Sequence, residues 1–225
     1  MKKLLIAVCL LIAVASSAQT PRYDTIRYAK QHYAKRVAIF KKEPIKQGRV
    51  IFLGNSITEF ADWQKLLGDS TIINRGIAAD NTFGVLDRLD DVIAREPSKL
   101  FIKIGINDIS QDIPVNIIAK NIFTIVQRVK AKCPQTKIYV HSILPTNDNA
   151  KKEYPEAFNK NSQVNEVNNR LKQNEKMGFT YIDINMLLRD SQGKLDPQYA
   201  DADGLHLNEA GYAVWVKLLK AKKYL

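Results

Sequence analysis

The chain has 225 residues, 45% of them hydrophobic and 25% charged, enough for one good core and too few for two large ones. Ten Gly and eight Pro exclude a collagen-like or low-complexity chain, and two Cys exclude a disulfide scaffold or a thiolate zinc site. The net charge of +11 is scattered, with runs no longer than Lys41-Lys42 or Lys222-Lys223, and no zinc-finger spacing, RNP motif or basic heptad region accompanies it. A solvated basic surface is expected, with no specific nucleic-acid partner.

Lys2 and Lys3 precede twelve apolar residues, Leu4 to Ala15, followed by Ser16-Ser17-Ala18. A positive start, a short apolar run and small residues before a cut are the parts of a secretory signal peptide. Spanning a bilayer takes roughly 20 apolar residues, so this run is too short to be an anchor. The expectation is a signal peptide over 1–18 and a single domain over 19–225, secreted or periplasmic, with no membrane anchor after cleavage. Cleavage removes two lysines, leaving a net charge of +9. It also removes Cys9, which sits too deep in the run to carry a lipid, and leaves Cys133 as a bystander without a disulfide partner.

Beyond a polar, helix-like entry over about 22–41, short apolar runs alternate with helical patterns. The runs are 49–53, 72–74, 100–104, 137–144 and 180–184, most of them apolar on both parities, as strands buried on both faces should be. The helical patterns span about 58–67, 82–95, 115–131, 159–177 and 208–222. Asn81 or Thr82 can cap the second and Pro97 stops it, while Asn208 can cap the last. This alternation predicts an α/β fold of three layers, with a central parallel sheet of about five strands covered on both sides. The irregular stretches 145–158 and 186–207 are long enough to line a site.

Four short motifs fall at the C-terminal ends of strands or before a helix. Gly54-Asn55-Ser56-Ile57-Thr58 leaves the first strand, Asn74-Arg75-Gly76 ends the second, and Gly105-Ile106-Asn107-Asp108 follows the third. In open α/β sheets that edge is where ligands bind, and a glycine N–H with a carboxamide can stabilise an oxyanion. Asp203-Gly204-Leu205-His206 precedes the last helix, and three residues of separation let the carboxylate reach the imidazole. The order along the chain is Ser, Asp, His.

Together these four blocks resemble those of the SGNH (GDSL-type) hydrolases, most closely the branch holding platelet-activating-factor acetylhydrolase catalytic subunits and bacterial acylhydrolases. The resemblance covers roughly 48–215. It implies a flavodoxin-like SGNH fold with Ser56 as nucleophile, His206 as general base and Asp203 as its orienter. It also implies an oxyanion hole made by the Ser56 N–H, the Gly76 N–H and the Asn107 side chain, with no metal and no cofactor. Two positions depart from the pattern. Asn55 stands where the family usually has Asp, and Ala78 and Ala79 stand where block two often has a second glycine.

The expected function is a secreted serine esterase removing small O-acyl groups, acetyl foremost, from a small-molecule or glycan ester. A lysophospholipase or thioesterase on longer chains is the alternative within the enzyme class. Outside that class stands a non-catalytic envelope protein that binds carbohydrate or anionic polymer. Oligomeric state is not legible. Asp201, Asp203, His206 and Glu209 lack the spacing of a calcium loop, and one His is thin for zinc. His141, with Ser142 at a strand end, reads as a hydrogen-bonded structural residue, His32 as a surface one, and Asp108 as a brace for its loop. Trp63 and Trp215 read as core, Trp63 with some chance of lining the pocket. Asn165 and Asn168 have no assignment.

Overall fold

The computed structural model describes residues 29–150 and 153–225; the signal peptide expected over 1–18, its expected cleavage point and Cys9 lie outside them. Five parallel strands, β1 (Val50–Gly54), β2 (Ile73–Gly76), β3 (Lys99–Lys103), β4 (Lys137–His141) and β5 (Thr180–Ile182), form one sheet in the order β2-β1-β3-β4-β5. All five runs read from the sequence are strands, each within a few residues of its expected bounds. The chain leaves β1 toward β2 on one side and returns to β3 on the other. The strand order therefore reverses between β1 and β3, and the crevice at their C-terminal ends is the natural ligand site of such a sheet.

The helices are α1 (Lys30–Lys42), α2 (Ser56–Glu59), α3 (Trp63–Leu67), α4 (Thr82–Asp87), α5 (Leu89–Ala94), α6 (Ile106–Ser110), α7 (Val115–Lys132), α8 (Asn161–Lys172), α9 (Asn185–Leu188) and α10 (Glu209–Ala221). Two expected helices are each split in two. The 58–67 pattern breaks after Glu59, where Asp62 accepts the Lys65 N–H and caps α3. The carbonyls freed at the end of α2 go to Asn74, whose Nδ2 donates to Thr58, Glu59 and Ala61. The 82–95 pattern breaks at Arg88, which turns inward to bind the Asp80 carboxylate and the carbonyls of Arg75 and Gly54. Asn81 and Asn208 cap α4 and α10 as expected.

Alternation along the strands sorts two chemically different faces. Ile51 and Leu53, Leu100 and Ile102, Ile138 and Val140 face an aliphatic layer with side chains of α5, α7 and α8. Phe52, Phe101 and Tyr139, in register across β1, β3 and β4, face the other way and stack at 4.7 Å intervals. Trp63 lies 4.0 Å from Phe52, and Trp215 of α10 meets Trp63 edge-on at 4.8 Å. Both tryptophans are core, as read from the sequence, and Trp63 does not line the catalytic pocket. Cys133 is buried too, and burial pushes its thiol up, which fits an unreactive bystander.

Two charged or polar groups lie in this core without full compensation. Lys103, at the end of β3, is buried with no ion pair or hydrogen bond among the described residues, and burial pushes its ammonium down to about 7. His141, whose Nε2 accepts from Trp215 Nε1, is pushed down to about 3, first by burial and then by the Lys103 charge. A lysine titrating this low in the folded state sheds a proton that the unfolded chain holds up to about pH 10. Stability should therefore rise as pH increases from about 7 to 10, and the full cost of charging should be felt below 7. Lys103→Met is expected to raise the unfolding free energy at about pH 6 by roughly 1–3 kcal/mol and to flatten that slope, read by denaturant melts across the range. Equal pH slopes in the two proteins would show that Lys103 does not carry the effect.

Candidate active site

The nucleophile turn is set by backbones meeting at glycines. A Cβ on Gly54 would lie 2.2 Å from the Lys103 carbonyl oxygen and 2.3 Å from Thr58 Oγ1. A Cβ on Gly76 would lie 2.2 Å from the Glu59 nitrogen, so α2 rests directly on β2. Asn55 precedes α2 in an extended conformation, and its Oδ1 accepts the Ile57 N–H at 3.3 Å. The carboxamide therefore keeps the capping role a carboxylate would have there, with its Nδ2 buried and unpartnered. Ser56 is the first residue of α2, at the strand-order reversal.

His206 reaches Ser56 from the far end of the chain. Its Nε2 lies 2.8 Å from Ser56 Oγ and its Nδ1 lies 2.6 Å from Asp203 Oδ2. The other Asp203 oxygen accepts the N–H groups of Leu205 and His206, which fixes the turn. Burial pushes the Asp203 carboxyl up, but the hydrogen bonds from the His206 ring and the two backbone N–H groups outweigh it and hold the group below its usual range. Helix α10 anchors both partners: it begins two residues after His206 at the Asn208 cap, and its Tyr212 hydroxyl donates to the Ile57 carbonyl. An ionised carboxylate, an imidazole and a hydroxyl in this chain can pass the hydroxyl proton to the ring as the oxygen attacks a carbonyl.

Donors for an oxyanion converge on the same spot. Asn107, on α6, uses one Nδ2 hydrogen on the Asp80 carbonyl at 2.8 Å and keeps the other. The Ser56 N–H, at the start of its helix, has no partner among the described residues. The third expected donor differs. The Gly76 N–H is taken by Asn74 Oδ1 at 2.8 Å, and Gly76 is absent from the pocket wall, its role being to let α2 approach. Ala79, three residues on, lines the pocket, and its N–H has no partner among the described residues. It has φ of +61°, a left-handed conformation that costs a non-glycine residue about 1–3 kcal/mol. The sequence signal was present in the alanines at block two's usual second glycine.

Beneath this loop lies a buried polar frame. Asp80 pairs with Arg88 at 2.8 Å, and Asp108 accepts the N–H and hydroxyl of Thr82 while Asn121 donates to that hydroxyl. Asp108 thus braces the loop after β2 at Thr82, where its sequence position had suggested a brace for its own loop. Burial pushes Asp80 up to about 6 and Asp108 up to about 7. Other residues fall outside the site. Ser142 accepts from the Ile184 and Asn185 N–H groups, and Asn168 pairs with both backbone groups of Ile143. Asn165, Asp201 and Glu209 are exposed, and no group of three His, Cys, Asp or Glu is gathered as a metal site among the described residues.

The pocket at Ser56 encloses about 90 Å³, with Ala78, Ala79, Asn107 and Leu205 around Ser56 and His206. Phe60 and Tyr154 form its rim, their rings 5.3 and 5.6 Å from the His206 ring, and Phe60 is 60% exposed. Neither aromatic was singled out from the sequence. An unbroken 58–67 helix made Phe60 look like an ordinary helical residue, and Tyr154 lay in an unreadable loop. A cleft of about 560 Å³ lies at β2 and contains neither Ser56 nor His206. The buried arginines in its wall, Arg75 and Arg95, are already paired with Glu43 and Asp91.

The sequence matches the GDSL-like lipase/acylhydrolase family over residues 52–214. Among solved structures, a protein named for platelet activating factor, from Streptococcus pneumoniae, is 32% identical with a TM-score of 0.77, over 87% of this chain and 94% of that one. A protein named as an acylhydrolase, from Bacteroides fragilis, is 26% identical with a TM-score of 0.70, over 88% and 97%. An acetyl-xylooligosaccharide esterase from Geobacillus stearothermophilus shares the fold at 18% identity and a TM-score of 0.61, over 79% and 95%. No curated protein matches. With the family matched across 52–214 and an Asp–His–Ser relay closed at the edge that binds ligands, the chain belongs to the GDSL-like lipase/acylhydrolase family and is a carboxylic ester hydrolase of the SGNH type.

Proposed function

We propose that the protein is an exported esterase that removes small O-acyl groups, acetyl above all, from carbohydrate esters through an acyl-Ser56 intermediate. The cavity beside Ser56 carries the reading. At about 90 Å³ it is far smaller than the roughly 300 Å³ at which drug-sized ligand pockets begin, so it suits a short acyl group and leaves the alcohol outside. Outside, the alcohol meets the exposed face of Phe60 and the Tyr154 ring, apolar surfaces of the kind the faces of sugar rings pack against. The shared fold of the acetyl-xylooligosaccharide esterase points in the same direction. Export rests on the expected signal peptide over 1–18, with 19–225 folding as one domain; among the described residues no helix is long and apolar enough to cross a membrane.

In the proposed reaction His206 takes the Ser56 proton as Oγ attacks the ester carbonyl. The Ser56 N–H, the Ala79 N–H and the free Asn107 Nδ2 hydrogen hold the tetrahedral oxyanion. The alkoxide leaves with the proton from His206, and water activated by the same ring then releases the acid from Ser56. Asp203 stays ionised throughout, holding the ring's tautomer and balancing the imidazolium. A lysophospholipase or long-chain thioesterase would need room for an acyl chain that this cavity lacks. A polymer-binding protein without turnover would have no use for the completed relay.

Four measurements test this. Hydrolysis of p-nitrophenyl acetate in EDTA should be lost in a folded Ser56→Ala variant, and equal turnover in the two would sink the mechanism. Asn107→Ala should fold and lose about 10²–10³ in kcat. Across nitrophenyl esters of increasing length, kcat/KM should fall sharply beyond butyrate, and a flat or rising series would favour the longer-chain alternative. On acetylated xylooligosaccharides Phe60→Ala should raise KM several-fold, reflecting an apolar contact of about 1–2 kcal/mol.

A further inference from the structure

We propose that Glu59 is a positioning residue for acyl transfer, and that helix α1 takes part in the active site through it. The inference rests on the reading of Ser56 and its oxyanion donors given above. Glu59 touches no reacting atom. It holds the loop that presents the Ala79 N–H.

Three observations carry this. First, the Glu59 backbone is fixed: its nitrogen lies 2.2 Å from where a Cβ on Gly76 would be, and its carbonyl accepts from Asn74 Nδ2. Its side chain, 12% exposed, is thereby aimed from α2 at the loop after β2. Second, Glu59 Oε2 accepts the Ala78 N–H at 2.5 Å, one peptide before Ala79. The Asp80 side of the loop is held separately, by Arg88 on its carboxylate and Asn107 on its carbonyl. Ala79, the strained residue at φ +61°, is therefore clamped between Glu59 and Asp80. Such conformations persist only where the surroundings over-determine them. Third, the carboxylate is itself held from α1. His32 Nε2 lies 2.9 Å from Glu59 Oε2, and Arg36 Nε lies 2.9 Å from Oε1, at an angle that makes it an ion pair rather than a hydrogen bond. Both residues precede the segment matched by the family, so this support is built by the chain's own N-terminal helix.

The clamp matters because the oxyanion forms only during reaction. A displaced Ala79 N–H weakens transition-state binding with little effect on ground-state binding, so the loss should appear in kcat and not in KM. A geometric error of about 1 Å at such a donor can cost about 10²-fold.

The test uses Glu59→Gln and Glu59→Leu, with Arg36→Met and Ser56→Ala beside them, on p-nitrophenyl acetate with active sites titrated. Glu59→Leu is expected to lower kcat per active site by about 10²-fold and Glu59→Gln, which keeps an acceptor, by about 10-fold, with KM within about two-fold. Arg36→Met should give a smaller loss of the same kind. Ala79→Gly in the Glu59→Gln background should recover several-fold, because glycine adopts positive φ without penalty. In Glu59→Gln, relative to the wild type, amide hydrogen exchange should speed up at Ala78 and Ala79 and stay unchanged in β1 and β3. Wild-type kcat per site in both Glu59 variants would overturn the proposal, as would a loss that Ala79→Gly leaves untouched while exchange at Ala78 is unaltered. Unchanged turnover in Ser56→Ala would overturn the underlying reading itself, and this proposal with it.

Discussion

The active edge depends on two places where backbone meets backbone with no side chain between. At Gly54 the end of β1 lies against the Lys103 carbonyl of β3, and at Gly76 the end of β2 lies against the Glu59 nitrogen of α2. Any Cβ there would force strands or helix apart by more than an ångström. Those two contacts put Ser56 at the reversal of strand order, within hydrogen-bond distance of an imidazole 150 residues away in sequence. The motif glycines therefore serve packing. The N–H groups that face the pocket belong to their neighbours.

Close approach of this kind leaves polar backbone inside the protein, and arginine side chains satisfy much of it. Arg88 binds the carbonyls of Gly54 and Arg75 and the carboxylate of Asp80, joining β1, β2 and the following loop in one residue. Its charge is balanced by Asp80, whose own carbonyl positions Asn107. A buried network is favourable only when nearly every member is satisfied. Here the orphaned groups are few, among them Asn55 Nδ2 and Thr58 Oγ1 at the nucleophile turn. The Lys103–His141 pair is the exception on the aromatic side, a charge held in the core without an acid to meet it.

Much of this was legible in the sequence because it is periodic or local. Runs apolar on both parities gave five strands, and the stacked Phe52, Phe101 and Tyr139 explain why the second parity was apolar too. The Asp203–His206 spacing is a turn, which sequence reports directly. Long-range effects were not legible. Asn74 splits the 58–67 helix from sixteen residues away, and Arg88 breaks the next helix by turning toward the sheet. That the Gly76 N–H is already taken was hidden, because it depends on a side-chain contact with Asn74 that the spacing alone does not report. His32 read as a surface residue, and Glu59 was not singled out, because their contact lies between elements 27 residues apart.

Helix α10 holds the turns that carry His206 and Ser56 from a single element, through the Asn208 cap on one side and the Tyr212 hydroxyl on Ile57 on the other. The position of His206 is consequently held from both sides, by Asp203 before it and α10 after it. The turn at 190–194, closed by the Asp190–Lys194 backbone bond, exposes Ser191 and Gln192 at its tip while Lys194 pairs with Asp148 at its base. Added length at the Ser191–Gln192 tip would therefore leave the hydrogen bonds among Ser56, Asp203 and His206 in place.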